Sequence, residues 1–432
     1  MTKPKWKTVK IGEVCHVEKG TMAIQKAIAG NYPLVVTAEN RKTSNEFQFD
    51  CKAVCIPLVS STGHGHASLK RLHFQEGKFA LGNILSAVFP IDENVIDPRF
   101  LFEYLSFYKD EKIVTQMKGS ANVSLTIKNL KMIEIDMPSI EMQKEIVRQV
   151  QEVREAQLKI QQHLLENKLD LKALRQTILQ LAVSGRLNTQ NPSDEPAREL
   201  LKRINAEKQA LIKAGKLKAQ KTLPPVDESK SPFEIPPSWV WTRLGEVGTW
   251  GAGSTPNRSN PSYYNGEITW FKSGELKTDV VYGSEEKITE LALKECSLRL
   301  NQPNDVMIAM YGATIGKVSI AGAVCTTNQA VCACTPFSCI TSHFLLLKLK
   351  ALYPTFVNMG AGGAQPNISK EKIVNTPFPL PPLDEQKRIV AKVDELIALC
   401  DALEAQLNEQ QSHATALLNS LVHELIGAGA SA

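Results

Sequence analysis

The run Met310-Tyr311-Gly312-Ala313-Thr314-Ile315-Gly316-Lys317-Val318 sets a Gly-Lys pair behind a glycine turn, the composition of a loop that cradles phosphate with backbone N–H groups. That chemistry needs a glycine at 311 and a Mg²⁺-binding hydroxyl at 318, where this chain has Tyr311 and Val318. A nucleotide site there is disfavoured. Cys51, Cys55, His64 and His66 are zinc-ligand types. Their Cys-x₃-Cys and His-x-His spacings fit no common finger, so buried or free thiols are the preferred reading. No Ser/His/Asp spacing or paired carboxylates can be assigned. The chemistry the residues offer is that of binding rather than catalysis.

Asn260-Pro261-Ser262-Tyr263 is one residue away from the Asn-Pro-Pro-Tyr run of amino-group DNA methyltransferases. It lies among Gly, Asn, Pro and Ser with no Gly-rich cofactor strand before it, so a plain turn is expected.

The elements that must position these loops are written twice. Trp6-x-x-x-x-Ile11-Gly12-Glu13-Val14 returns as Trp239-x-x-x-x-Leu244-Gly245-Glu246-Val247, at an offset of 233. Met137-Pro138-Ser139-Ile140-Glu141-Met142-Gln143-Lys144 returns as Leu380-Pro381-Pro382-Leu383-Asp384-Glu385-Gln386-Lys387, at an offset of 243. The second copy therefore carries about ten extra residues in its globular part. Beyond that point the register holds without a gap. Ile146, Val150, Val153, Ile160, Leu164, Leu174 and Ile178 fall on Ile389, Val393, Leu396, Leu403, Leu407, Leu417 and Leu421. Steps of four and three make an a/d stripe, and two long helices packed on each other are the simplest way to cover it. Gln157 and Cys400, then Asn167 and Gln410, interrupt both stripes at equivalent places, where polar residues commonly control register.

The organisation expected is a globular segment at 1–139, a helix at 140–185, a connector at 186–238, a second globular segment at 239–382 and a second helix at 383–427. The first helix stops at Ser184-Gly185. The connector holds a helical patch from Ala197 to Ala214 and a basic run, Lys202, Arg203, Lys208, Lys213, Lys216, Lys218 and Lys221 against Glu207. Such a run is either a solvated linker or a phosphate contact. The net charge of +5 permits nucleic-acid binding without arguing for it. An odd nine cysteines without a framework fit reduced thiols in a cytoplasm. Neither a signal peptide nor a membrane span is expected.

Together these features resemble the specificity subunit of type I restriction–modification enzymes. The residues that carry the likeness include Trp239-x-Trp241-x-x-Leu244-Gly245-Glu246-Val247, Tyr311-Gly312-Ala313-Thr314-Ile315-Gly316-Lys317 and Thr327-Asn328-Gln329-Ala330. Pro379-Leu380-Pro381-Pro382-Leu383-x-Glu385-Gln386 and Leu174-Arg175-Gln176-x-Ile178-Leu179-Gln180-Leu181-Ala182 add to it. The resemblance implies an α+β chain: two mixed α/β target recognition domains joined by an antiparallel two-helix coiled coil with a pseudo-two-fold repeat. It implies a non-catalytic reader of a bipartite, asymmetric site in double-stranded DNA. The implied partners are two modification subunits that bind S-adenosylmethionine and restriction subunits that use ATP and Mg²⁺. The rival readings are a stand-alone methyltransferase or nuclease, or a coiled-coil scaffold without DNA.

Reading base edges calls for short polar or forked side chains on exposed loops. In the first head that points to Ser61, Thr62, His64, His66, Lys70 and Asn83. In the second it points to Thr255, Lys272, Ser273, Tyr311, Thr314, Lys317 and Asn328. Gly65 with Lys70 and Gly312 with Lys317 share a five-residue step, as one loop in two copies would. The competing reading for each residue is an ordinary turn.

Overall fold

The computed structural model describes residues 6–62, 66–119, 123–219, 222–361 and 366–427. It divides into two compact units, Met1–Glu166 with Leu407–Ala432, and Asn167–Gln406. The division cuts through both long helices, Ile140–Val183 and Leu383–Gly427. Neither helix has a proline or an internal glycine, so nothing in 44 and 45 residues interrupts the backbone ladder.

In the first unit β1 (Lys7–Lys10) pairs antiparallel with β10 (Glu134–Met137), so the segment's two ends close on each other. Between them lie two sheets. One orders β2 (Cys15–Lys19), β9 (Leu85–Pro90), β6 (Ala53–Pro57) and β7 (His73–Gln75). The other orders β4 (Lys42–Ser44), β3 (Tyr32–Val35), β8 (Lys78–Leu81) and β5 (Phe49–Asp50). Val54, Ile56, Val88, Phe100, Leu101 and Tyr104 form the core between sheet and helix. Ile146 and Val150 of the first long helix and Ile426 of the second belong to that same core.

The second unit repeats the plan. β11 (Val240–Arg243) pairs antiparallel with β20 (Pro377–Leu380). A five-stranded sheet orders β12 (Gly248–Ala252), β19 (Val331–Pro336), β16 (Val306–Ala309), β17 (Val318–Ala321) and β14 (Val280–Val281). A smaller sheet orders β15 (Lys287–Ile288), β13 (Tyr264–Phe271) and β18 (Thr326–Thr327). The parallel pair β3–β8 recurs as β13–β18.

Each unit fixes its helix to its head with one glutamine. Gln143 Oε1 accepts from Asp97 N at 2.8 Å, and its Nε2 donates to Val95 O at 3.1 Å and Pro138 O at 2.9 Å. Gln386 Oε1 accepts from Thr341 N at 2.9 Å, and its Nε2 donates to Cys339 O at 3.1 Å and Pro381 O at 3.2 Å. The repeat is therefore structural as well as sequential.

The two long helices run antiparallel within each unit. In the first, Ile146 and Val150 near the start of one share a core with Ile426 near the end of the other. In the second Arg175 reaches Asp401 at 2.7 Å and Glu404 at 2.9 Å. The seam differs in detail from the stripe read in the sequence. Ile146, Val150, Leu164, Ile178, Ile389, Val393 and Cys400 are buried on the stripe, but Ile160, Leu174, Leu403, Leu417 and Leu421 stay more than a third exposed, and Leu418 and Ile426, off it, are buried. Asn167 and Gln410 are also exposed, so neither sits in the seam. A two-helix contact covers only part of the face that the a/d pattern marks.

The connector is docked on the second head rather than free. The first helix ends at Val183 and the chain turns at Gly185, whose φ of +71° suits glycine and whose Cα faces Pro236 so closely that a Cβ would lie 2.5 Å from it. Helix Ala197–Lys213 bonds through Lys208 to Glu246 at 2.7 Å and through Glu207 to Ser338 Oγ at 2.7 Å. Lys202 pairs with Glu199 and Arg203 with Glu195. The basic run is thus partly neutralised in place; Lys221 lies outside the described residues. No helix among the described residues is long and apolar enough to cross a membrane.

Candidate nucleic-acid interface

The loops singled out in the sequence meet at one end of each head's main sheet. β6 and β2 both run antiparallel to β9, so the ends of β2 and β6 lie beside the start of β9. β16 and β12 stand in the same relation to β19. Leu58 N donates to Ile84 O at 2.8 Å, and Met310 N donates to Ala330 O at 2.8 Å. The loop after Leu58 and the loop after Met310 therefore leave equivalent points of the two heads. Gly65, the first member of the proposed five-residue step, lies outside the described residues, as does His64.

In the first head Ser61, Thr62, His66 and Lys70 share one loop, and Asn83 sits in the adjoining turn between β8 and β9. Much of the loop's polarity is spent on itself. Thr62 Oγ1 donates to His66 O at 3.2 Å and lies 2.9 Å from Ser68 Oγ, and Lys70 N donates to Ser61 Oγ at 3.0 Å. Lys70 and Arg71 line a cleft of about 360 Å³ with Thr37, Glu39, Ser60 and Ser61. Behind it, Arg41 donates to Gln75 Oε1 at 3.1 Å and to Phe74 O at 3.1 Å, and lies 3.0 Å from His73 Nδ1. Burial, then Arg41 and Arg71, push the His73 imidazole down to about 4, so it stays neutral with Nδ1 as acceptor.

In the second head two groups form. Ser254 N donates to Thr327 O at 3.0 Å and Asn328 N to Phe271 O at 2.9 Å. These bonds bring Thr255, Lys272, Ser273 and Asn328 together, and Thr255 Oγ1 also bonds to Gln329. The crossing is tight: a Cβ on Gly253 would lie 2.2 Å from Thr327 O, and one on Gly20 in the first head 2.3 Å from Gly82 O. Only glycine lets the strands approach so closely. Lys272 is held by Glu286 at 2.6 Å, and that hydrogen bond keeps its ammonium above the usual lysine range. Arg258, not picked out by the sequence reading, shares the same carboxylate.

The second group is Tyr311, Thr314 and Lys317, on a loop shaped by positive φ at Gly312 and Gly316. Gly312 N donates to Pro366 O, Gly316 N to Ala309 O and Lys317 N to Thr314 O. These three N–H groups are thus spent within the protein. Lys317 is exposed and borders a cleft of about 530 Å³ with Lys277, Asp279, Lys350 and Gln176.

Asn260 caps a short turn, accepting from Ser262 N at 3.1 Å, as a plain turn would. Burial pushes the Cys51 thiol up to about 11 and that of Cys55 up to about 12. Among the described residues no three or more His, Cys, Asp or Glu stand together as metal ligands would. Glu385, the acid beside the helix-start glutamine, accepts from Trp239 Nε1 at 2.9 Å and Gln190 Nε2 at 2.6 Å.

Against known proteins, a family model described as the type I restriction modification DNA specificity domain matches residues 3–169 and 236–410. The EcoAI specificity subunit of Escherichia coli is 34% identical over 272 residues, covering 59% of this chain and 45% of that protein. The EcoEI subunit of the same organism is 32% identical over 278 residues, covering 60% and 46%. The chain thus matches a little under half the length of these two relatives. The EcoDI subunit is 25% identical over 431 residues, covering 98% of this chain and 87% of that protein. Among solved structures, a chain described under complex assembly and conformational transition of the type I R-M system covers 98% of each chain, with a TM-score of 0.63 and 20% identity. The HsdS subunit from Thermoanaerobacter tengcongensis covers 99% of this chain and 97% of that one, with a TM-score of 0.55 and 19% identity. Those two likenesses concern the fold.

Proposed function

The chain belongs to the type I restriction modification DNA specificity family, and on that premise we propose that it selects the DNA sequence on which partner subunits act. Each head contacts one half of a split, asymmetric site in double-stranded DNA. The long helices set the unspecified spacer and carry two modification subunits. S-adenosylmethionine belongs in this reading to those subunits, and ATP with Mg²⁺ to restriction subunits. The chain itself does no chemistry and works in the cytoplasm. The observation that carries the reading is the duplicated gathering of polar loops at the same sheet end of both heads, on a framework repeated down to one glutamine. Two such surfaces on paired helices are how one chain obtains two contacts at a fixed spacing.

Exchanging residues 1–139 for the matching head of a relative tests it. The methylated motif, mapped genome-wide, should change in one half only. A change in both halves, or in neither, contradicts one head per half-site.

The helices supply a second expectation. They are 44 and 45 residues long while the heads differ by about ten residues, the contrast a ruler would show. Lengthening both by one seam-preserving repeat should lengthen the spacer and leave both half-site sequences unchanged, each turn adding about 5.4 Å. An active variant that keeps the original spacer removes the helices from that role.

A further inference from the structure

Arg258 lies on the loop that follows β12, three residues beyond Thr255. Its guanidinium sits over the ring of Tyr264 at 4.7 Å and that of Trp270 at 5.1 Å from the centroids. Glu286 accepts from Nη1 at 2.5 Å and from Nη2 at 3.4 Å. The loop is tied down beneath it: Tyr264 Oη donates to Pro256 O at 2.6 Å, and Trp270 Nε1 to Ser254 O at 3.1 Å. Despite this fixing the Arg258 side chain is 54% exposed.

Resting on the reading of the second head as a DNA-contacting surface, we propose that Arg258 is a specificity-determining residue that reads a guanine edge in the major groove. Guanine presents two acceptors there, O6 and N7, which match two N–H groups of a guanidinium; adenine sets a donor amino group beside its N7 instead. Glu286 uses two of the five guanidinium donors, so the fork is oriented without being exhausted. The rings and the carboxylate hold a side chain that would otherwise lose its rotamer freedom on binding. The same carboxylate takes Lys272 Nζ at 2.6 Å, with Glu285 at 3.8 Å. Acids placed between two cations repel phosphate, so the cluster suits a base edge better than the DNA backbone. Sequence reading passes over Arg258 because its loop, Pro256-Asn257-Arg258-Ser259-Asn260, has the composition of a turn.

The test uses the full chain assembled with its methylating partners, DNA competitors carrying each base at each site position, and the salt dependence of binding. Arg258→Ala should lower the preference for guanine at one position of one half-site by about 10- to 100-fold. Arg258→Gln, whose amide sets an acceptor beside a donor and so suits adenine rather than guanine, should lose the same preference while the salt slope stays. Retained guanine preference in either variant overturns the proposal, as does a loss spread evenly over all positions. Exchange of residues 239–382 for the head of a relative runs alongside. If that exchange leaves both half-sites unchanged, the reading of the head fails. If it changes one half-site and Arg258→Ala does not, only the role of Arg258 fails.

Discussion

Replacing Gln386 by leucine should destabilise the second unit by about 4 kcal/mol, because three buried backbone groups lose their partner and each unsatisfied group costs about 1–3 kcal/mol. Gln386 is fully enclosed, and it satisfies one N–H and two carbonyls where helix Leu383–Gly427 leaves the head. Leucine fills similar space but offers neither donor nor acceptor. Glutamate should fare little better, since an ionised carboxylate accepts from Thr341 N but donates nothing to Cys339 O and Pro381 O. Tryptophan fluorescence isolates the effect: Trp239, Trp241, Trp250 and Trp270 lie in the second unit and only Trp6 in the first. In urea the fluorescence transition of Gln386→Leu should move to clearly lower denaturant. Gln143→Leu, which breaks the matching bonds of the first unit, should move it much less. A Gln386→Leu stability within about 1 kcal/mol of the parent would mean that the orphaned groups find other partners.

This glutamine also shows what the sequence makes legible. A Pro-rich stop, a helix start and a Gln three residues in recur at 143 and 386 because both copies solve the same problem of joining a strand end to a helix. The duplication, the two long helices and the stop at Ser184-Gly185 could be read, since each shows in residue types at short, regular spacings that the chain repeats. The docked connector could not. Its anchors, Lys208 to Glu246 and Arg388 to Asp194, join residues 38 and 194 positions apart, and a Lys-rich run looks the same whether solvated or paired.

The candidate interface divides along the same line. The place of its loops was legible, because Gly, Ser, Thr and Asn gather where strands end. The state of each side chain was not. Ser61 and Thr62 bond within their own loop, Asn328 Oδ1 accepts from Ala330 N at 3.2 Å, and Lys272 is already paired. The helix stripe was legible in part, with Ile146, Val150, Leu164, Ile178, Ile389 and Val393 buried on it. Period alone puts Ile160 and Leu417 on the apolar face, but the part of that face the partner covers is a tertiary choice that leaves both exposed.

Replacing Lys348 by methionine should stabilise the second unit, most strongly at and below neutral pH. Lys348 is only 3% exposed, on helix Ser342–Ala351, and its ammonium meets the ring of Phe233 at 5.4 Å rather than a carboxylate. Desolvation by burial pushes its pKa down to about 7, against about 10.4 for an unfolded lysine. Above both values the amine is neutral in either state and burial carries no ionic penalty. As pH falls from 10.4 towards 7 the unfolded chain binds a proton that the folded chain refuses, so stability drops; below 7 the loss is complete and constant. At about 1.4 kcal/mol per unit the full loss is on the order of 5 kcal/mol. Methionine keeps the unbranched stem, fits the apolar surroundings and carries no charge, so the loss disappears. Urea midpoints of the two proteins should therefore differ widely at pH 7 and converge by about pH 10, the variant being the more stable. The comparison between proteins matters because the buried thiols, such as Cys332 pushed up to about 12, titrate near the upper end in both. A variant no more stable than its parent at pH 7 would show that the ammonium reaches water or an acceptor, and that the ring of Phe233 is not its main company.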